Sequence, residues 1–216
     1  MITVDTGKVY SIDELLCLAE KAIENQEYCV ARFFLDRTLH SNRGKLQYCR
    51  FFLTHAPKGM TGAKRISEIE TMLLYVERNG TPEEAKDACT LLAGFYNYLK
   101  GRPLRSLGFM LRAGRLNGDD EESLMRTAQR KLTNMEVSEL TTDPFGGYLC
   151  GFECSAFANK TMIDWAQRFL VATVESKVVP WAGLAAMVMA DLLHGKQEAA
   201  EFRRYSTAYG NPEILT

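Results

Sequence analysis

"LLAGFYNYLKGRPLRSLGFMLRAGRLNGDDEE", residues 91–122, reads as two short helices pinched together at Lys100-Gly101-Arg102-Pro103. Apolar residues recur at helical spacing on both sides, and the Gly-Arg-Pro step closes one helix and opens the next. Ala93, Gly94, Ser106, Gly108, Ala113 and Gly114 sit where an isolated helix would carry bulk. Small residues on both arms of a hairpin let two helices approach closely. Their recurrence elsewhere would mark a repeat.

The rest of the chain is helical by the same criteria. Ser11-Ile12-Asp13-Glu14 and Thr81-Pro82-Glu83-Glu84 are capping boxes, the second with Pro where a missing N–H costs no bond. Leu15, Leu18, Ala19 and Ala22 follow the first, and Ala85, Ala88, Cys89 and Leu92 the second, at helical and not alternating spacing. Asp119-Asp120-Glu121-Glu122 places negative charge where a helix dipole favours it. Glycines at 44, 59, 62, 80, 101, 118, 195 and 210 mark turns. The expectation is about ten helices joined by short turns, after a loose arm at residues 1–10.

Gly94, Ser106 and Ala113 are 12 and then 7 residues apart, and the same spacing recurs three times. It links Ala19, Ala31 and Thr38; Cys154, Ala166 and Thr173; and Val188, Ala200 and Thr207. The last two sets are offset by 34 residues, and the final one ends in Tyr209-Gly210-Asn211-Pro212.

On these residues the chain resembles the tetratricopeptide repeat, a helix-turn-helix unit of about 34 residues. "LLHGKQEAAEFRRYSTAYGNP" and "YLKGRPLRSLGFMLRAGRL" carry the resemblance best, with "AEKAIENQEYCVARFFLDRTL" behind them. The typical early Trp is absent, and Arg204 stands where a bulky apolar residue is usual. Sel1-type repeats are a neighbouring class, but their Gly-rich turn is missing. Residues 43–80 have room for a further helix pair, and a helix over about 119–140 interrupts the period. The resemblance implies an all-α, right-handed solenoid, with repeats and one extra helix over 11–142 and two repeats over 143–216. An irregular helical bundle is the alternative.

In such a stack the first helix of each hairpin lines a groove, so the resemblance implies a partner-binding set. Its members are Glu20, Phe95, Tyr98, Tyr148, Ser155, Asn159 and Met189, with Leu91, Leu99 and Leu192 assigned to the core. A mostly apolar, aromatic-rimmed groove suits an amphipathic helix or an extended peptide. Arg102, Arg105, Arg112, Arg115, Arg126, Arg130 and Lys131 form a locally basic stretch. Arg105, Arg112 and Arg115 are its candidates for meeting an acidic partner or phosphates, although aromatic residues for base stacking are lacking there. Asp143 to Ser155, with Gly146-Gly147, is expected to be a hinge between the two halves.

The net charge of −1 argues against a surface given over to nucleic acid or anionic membrane, and the longest apolar run is broken by Asp191. The first residues lack a signal-peptide pattern, so cytoplasmic synthesis is the default. The six cysteines sit among apolar neighbours and are expected to be buried free thiols. Cys150 and Cys154 lie one helical turn apart, but no His or third Cys adjoins them to complete a metal site. His40, His55 and His194 fall near helix ends without a catalytic partner at a telling spacing. No P-loop, dinucleotide fingerprint or paired metal-binding histidines occur. The chain is therefore expected to be non-catalytic and without cofactor or metal. A protein or peptide is its expected partner, with a homodimer through the last repeat left open. The runner-up is a regulator that binds nucleic acid or an acidic partner through the basic stretch.

Overall fold

The computed structural model describes residues 9–57, 62–133 and 142–209, and these form eleven helices with no strand among them. Most of the arm, the end of the helix expected to reach 140, and Pro212 lie outside the described residues. By contact the chain divides into two compact units, 1–95 and 96–216.

The first unit contains α1 (Ile12–Glu24), α2 (Tyr28–Asp36), α3 (Asn42–Thr54), α4 (Ala63–Asn79) and most of α5 (Pro82–Tyr98). Both capping boxes are present. Ser11 Oγ accepts from Glu14 N while Glu14 Oε2 accepts from Ser11 N at 2.8 Å, and Thr81 with Glu84 repeats the arrangement. Each box satisfies two N–H groups that a helix start leaves without partners. α1 packs on α2 and α3, and α3 packs on α4, so residues 43–80 do form a helix pair. Ala19, Ala31 and Thr38 are all buried, as the 12-then-7 spacing predicts.

The second unit contains α6 (Pro103–Asn117), α7 (Glu121–Leu132), α8 (Pro144–Ser155), α9 (Lys160–Glu175), α10 (Trp181–Leu192) and α11 (Glu198–Tyr209). α6 and α8 run parallel. Arg105 pairs with Asp143 at the starts of the two helices, and Arg115 with Glu153 near their ends, both at a separation of 38 residues. α8 and α10 also share a direction: Trp181 at the start of α10 meets Phe145 and Tyr148 early in α8. Leu192 at the end of α10 packs on the cluster holding Cys154 and Phe157. α9 packs between α8 and α10, α11 packs on α10, and the Tyr205 hydroxyl of α11 donates to Val174 O of α9 at 3.0 Å. The unit is thus a layer of α6, α8 and α10 against a layer of α7, α9 and α11.

This layering corrects the place of the interrupting helix. α7 interrupts the sequence period but packs on α6: a Cβ on Gly114 of α6 would lie 2.3 Å from Leu124 Cδ2 of α7. Leu104, Leu107, Leu111, Leu124, Ala128, Leu132, Met162, Ala166 and Phe169 share one core. The hinge expected at 143–155 is also corrected. Asp143 caps α8, accepting from Gly146 N at 3.2 Å, and a Cβ on Gly146 would lie 2.9 Å from Leu104 Cβ.

The spacing rule holds at Cys154, Ala166 and Thr173, all buried. It fails at the end of the chain, where Ala200 and Thr207 are exposed and Ala199 is the buried small residue. Gly94, from which the rule was drawn, has nothing within 4 Å of the place its Cβ would take. Gly108 is the residue whose smallness is used: its Cβ would stand 2.6 Å from Leu149 Cγ.

Gly108→Ala should therefore cost about 1–3 kcal/mol of stability by overpacking. Gly94→Ala should be neutral or stabilising by up to about 1 kcal/mol, because alanine is the better helix former. Urea unfolding of both variants beside the parent checks this pair, and equal losses would place Gly94 in a tight crossing after all.

Candidate functional site

The face of the α6–α8–α10 layer carries a row of rings that begins in the core and runs out to solvent. Tyr96 stacks on Phe109 at 5.7 Å, Phe109 meets Phe145 edge-on at 6.1 Å, and Phe145 meets Trp181 at 4.5 Å. Trp181 stacks on Tyr148 at 5.8 Å, and Tyr148 meets Phe152 at 6.2 Å. Tyr96 and Phe109 are buried, Phe145, Tyr148 and Trp181 are half-buried, and Phe152 is 45% exposed. Phe145, Tyr148 and Phe152 are spaced 3 and 4 apart, so one stripe of α8 presents all three.

Arginines of α6 border this row. The Arg105 guanidinium lies 5.2 Å from the Tyr96 ring centre and 4.9 Å from that of Phe145. It also grips the buried Asp143 carboxylate through Nε at 2.9 Å and Nη2 at 2.9 Å. Arg115 pairs with the buried Glu153 at 3.4 Å, donates to its backbone carbonyl, and covers the Phe157 ring at 4.7 Å. Arg112, on the same α6 face as Arg105, is half-buried beside Tyr148. Burial pushes the Tyr148 hydroxyl above the ordinary tyrosine range, against the pull of the Arg112 charge.

The sequence-derived groove residues fall into four groups. Tyr148 lies on the aromatic face, with Ser155 farther along α8, its hydroxyl donating to Phe152 O at 2.7 Å. Asn159 is the N-cap of α9, accepting from Thr161 N at 2.9 Å and Met162 N at 3.2 Å, which accounts for it as a structural cap. Phe95, 1% exposed, and Met189, packed with Leu170 and Val174, are core residues and not groove residues. Glu20 is exposed on α1 of the first unit, and Tyr98, 84% exposed, sits at the end of α5. Leu99, assigned to the core, is 49% exposed.

Within the basic stretch Arg105 and Arg115 hold buried carboxylates, whereas Arg102, Arg126 and Arg130 are exposed. Aromatic residues are not lacking beside it: α8 and α10 bring Phe145, Tyr148 and Trp181 to the α6 arginines. Phe152 and Trp181 were missed by sequence reasoning. The spacing of 145, 148 and 152 was the available signal for Phe152; Trp181 had none, since its place depends on α10 lying beside α8. Elsewhere, a surface trough of about 490 Å3 lined by Asp164, Gln167, Arg168, Val171, Ala172 and Glu175 runs along α9 alone and mixes both charges.

Among the described residues no group of three or more His, Cys, Asp or Glu is placed to hold a metal ion. None of the helices is long and apolar enough to cross a membrane. Cys49, Cys89, Cys150 and Cys154 are buried free thiols, whereas Cys17 and Cys29 are exposed, contrary to expectation. Burial pushes the Cys49 thiol up to about 12. A hydrogen bond with Cys154 and burial together raise Cys150 well above the usual thiol range.

The thiolate is the reactive form, so raised values and burial both slow reaction. A colourless-to-coloured thiol reagent at pH 8 should label Cys17 and Cys29 in a fast phase and the four buried cysteines only on denaturation. Mass spectrometry of the labelled sites checks this, and rapid labelling of Cys150 would contradict the packed core. No family model, curated protein or solved structure matches this chain.

Proposed function

We propose that the protein is a non-catalytic interaction module of stacked helical hairpins, resembling tetratricopeptide repeats, that receives a protein segment on the α6–α8–α10 face. The observation that carries this reading is the aromatic row ending in Phe152, 45% exposed beside the half-buried Tyr148 and Trp181. Solvent-facing aromatic rings in contact with one another are uncommon on a monomer surface, and they supply area and stiffness that binding surfaces use. Leu116, one turn beyond Arg112, extends the apolar part of this face along α6. Two further features support a repeat stack. Alternate helices run parallel in the second unit, and close-approach glycines (Gly108, Gly114, Gly151) lie between its neighbouring helices. A stack of hairpins buries through its neighbours the face that one hairpin leaves open.

The site is narrower than the groove expected from sequence. It comprises Arg112, Leu116, Phe145, Tyr148, Phe152 and Trp181. The arginines contribute cationic faces to the rings, and a segment with carboxylates beside apolar side chains is the best complement.

Selection of a displayed random-peptide library on the full chain tests this reading. Peptides that enrich should be apolar with acidic flanks. Phe152→Ala should weaken them by about 2 kcal/mol, roughly thirtyfold in Kd. The same variant should leave the unfolding midpoint nearly unchanged, because half of that ring is already in water. No enrichment, or unchanged affinity in Phe152→Ala, would reject this face as the binding surface.

A further inference from the structure

We infer that Asp143 is the positioning residue of the aromatic face, acting through Arg105 on Phe145 and Trp181. The inference rests on the reading of that face as a binding surface, and Asp143 is not part of the surface, because its side chain is buried. Both of its oxygens are used. Arg105 Nε donates to Oδ2 at 2.9 Å and Nη2 to Oδ1 at 2.9 Å, while Gly146 N donates to Oδ1 at 3.2 Å. The carboxylate stands where a Cβ on Gly146 would be, 2.7 Å from Oδ2, so this glycine admits the acid to the start of α8. One group thus fixes the first turn of α8 and a guanidinium of α6 together. A forked contact of this kind sets the plane of the guanidinium as well as its position.

That plane matters because the guanidinium reaches two rings. It lies 4.9 Å from the Phe145 ring centre and 5.2 Å from that of Tyr96, to whose side chain it is also hydrogen-bonded. Phe145 in turn meets Trp181 at 4.5 Å, the shortest ring separation in the row. Asp143, Arg105, Phe145 and Trp181 are therefore successive contacts that lead from a buried charge to a half-buried ring of the site. A cation over a ring is held there by the ring's quadrupole, and it leaves when nothing else fixes it.

The other clamp between these helices lacks such a connection. Arg115 pairs with the buried Glu153 but covers Phe157 at 4.7 Å, a ring of the core cluster and not of the aromatic row. The two pairs thus share their chemistry and their helices and differ in the rings they touch. Loss of either acid strips an arginine of a buried partner, so both losses should destabilise the fold. Only loss of Asp143 should disturb the face.

Asp143→Asn tests the inference, because asparagine keeps an oxygen to cap α8 and loses the charge that grips Arg105. Arg105→Lys, which keeps a cation and loses the fork, is the second variant, and Glu153→Gln is the comparison. Circular dichroism and unfolding midpoints establish that each folds. Fluorotryptophan labelling gives one fluorine resonance for each of the two tryptophans, Trp165 and Trp181, assigned with Trp165→Phe. Asp143→Asn and Arg105→Lys should shift or broaden the Trp181 resonance, and Glu153→Gln should leave it in place. Affinity for a peptide selected from the displayed library should fall between about twofold and thirtyfold in Asp143→Asn and hold within about twofold in Glu153→Gln. An unmoved Trp181 resonance in Asp143→Asn and Arg105→Lys overturns the inference, with or without a peptide in hand. Equal effects of Asp143→Asn and Glu153→Gln also overturn it, since they would follow general loosening of the helix pair. Unchanged peptide affinity in Asp143→Asn, where the parent binds, overturns the positioning role and leaves the binding surface standing. Failure of the parent to bind any peptide rejects the surface itself, and the inference with it.

Discussion

The register between α6 and α8 is the constraint on which the second unit depends. Two ion pairs at one sequence separation, Arg105 with Asp143 and Arg115 with Glu153, clamp the helices, and Gly108 between them lets Leu149 close in. Both carboxylates are buried, so a slip by one residue would strand two charges away from water. Burial of such pairs adds little net stability because desolvation offsets the attraction, whereas losing one partner is costly. Their main effect here is to select one alignment. That alignment sets Phe109 against Phe145 and Arg112 beside Tyr148. It also brings the starts of both helices to one end. The aromatic face is a consequence of the same register.

Features decided within four or five residues were legible in the sequence. The capping boxes at Ser11 and Thr81 formed because each needs only its own helix start. The helices followed from apolar spacing, and the buried trios around Ala31 and Ala166 followed from turns of the right length. The rule lost register at Ala200, where a connection containing Gly195 in the left-handed region turns Ala199 inward instead. One residue rotates a helical side chain by about 100°, enough to exchange core for solvent. Gly94 and Gly108 were indistinguishable in sequence, because the absence of a Cβ does not reveal whether another atom occupies its place.

The pairing of hairpins was less legible, for a topological reason. Sequence spacing measures distance along the chain, so it associates each helix with its successor. In the second unit, a helix also lies against the one after next, and α6 recognises α8 through residues 38 apart. This second neighbour made internal clamps of Arg105 and Arg115, and it brought rings from α8 and α10 to arginines that looked isolated. Phe95 and Met189 went wrong for a related reason. A repeat's first helix has an inner and a shared face, and period alone does not separate residues on one from residues on the other.

The charges at helix starts have a local origin. α7 follows the dipole rule, with Glu121 and Glu122 in its first turn and Arg130 and Lys131 in its last. If every helix did so, antiparallel neighbours would mix the signs at each end and cancel them. α6, α8 and α10 carry no acid in their first turns; α6 and α8 begin instead on Pro103 and Pro144, whose missing N–H leaves one fewer donor to satisfy. At α8 the charge sits one residue earlier, where Asp143 caps the helix and is itself held by Arg105 of α6. The carboxylate that favours the start of α8 is thus also the one that fixes its register with α6.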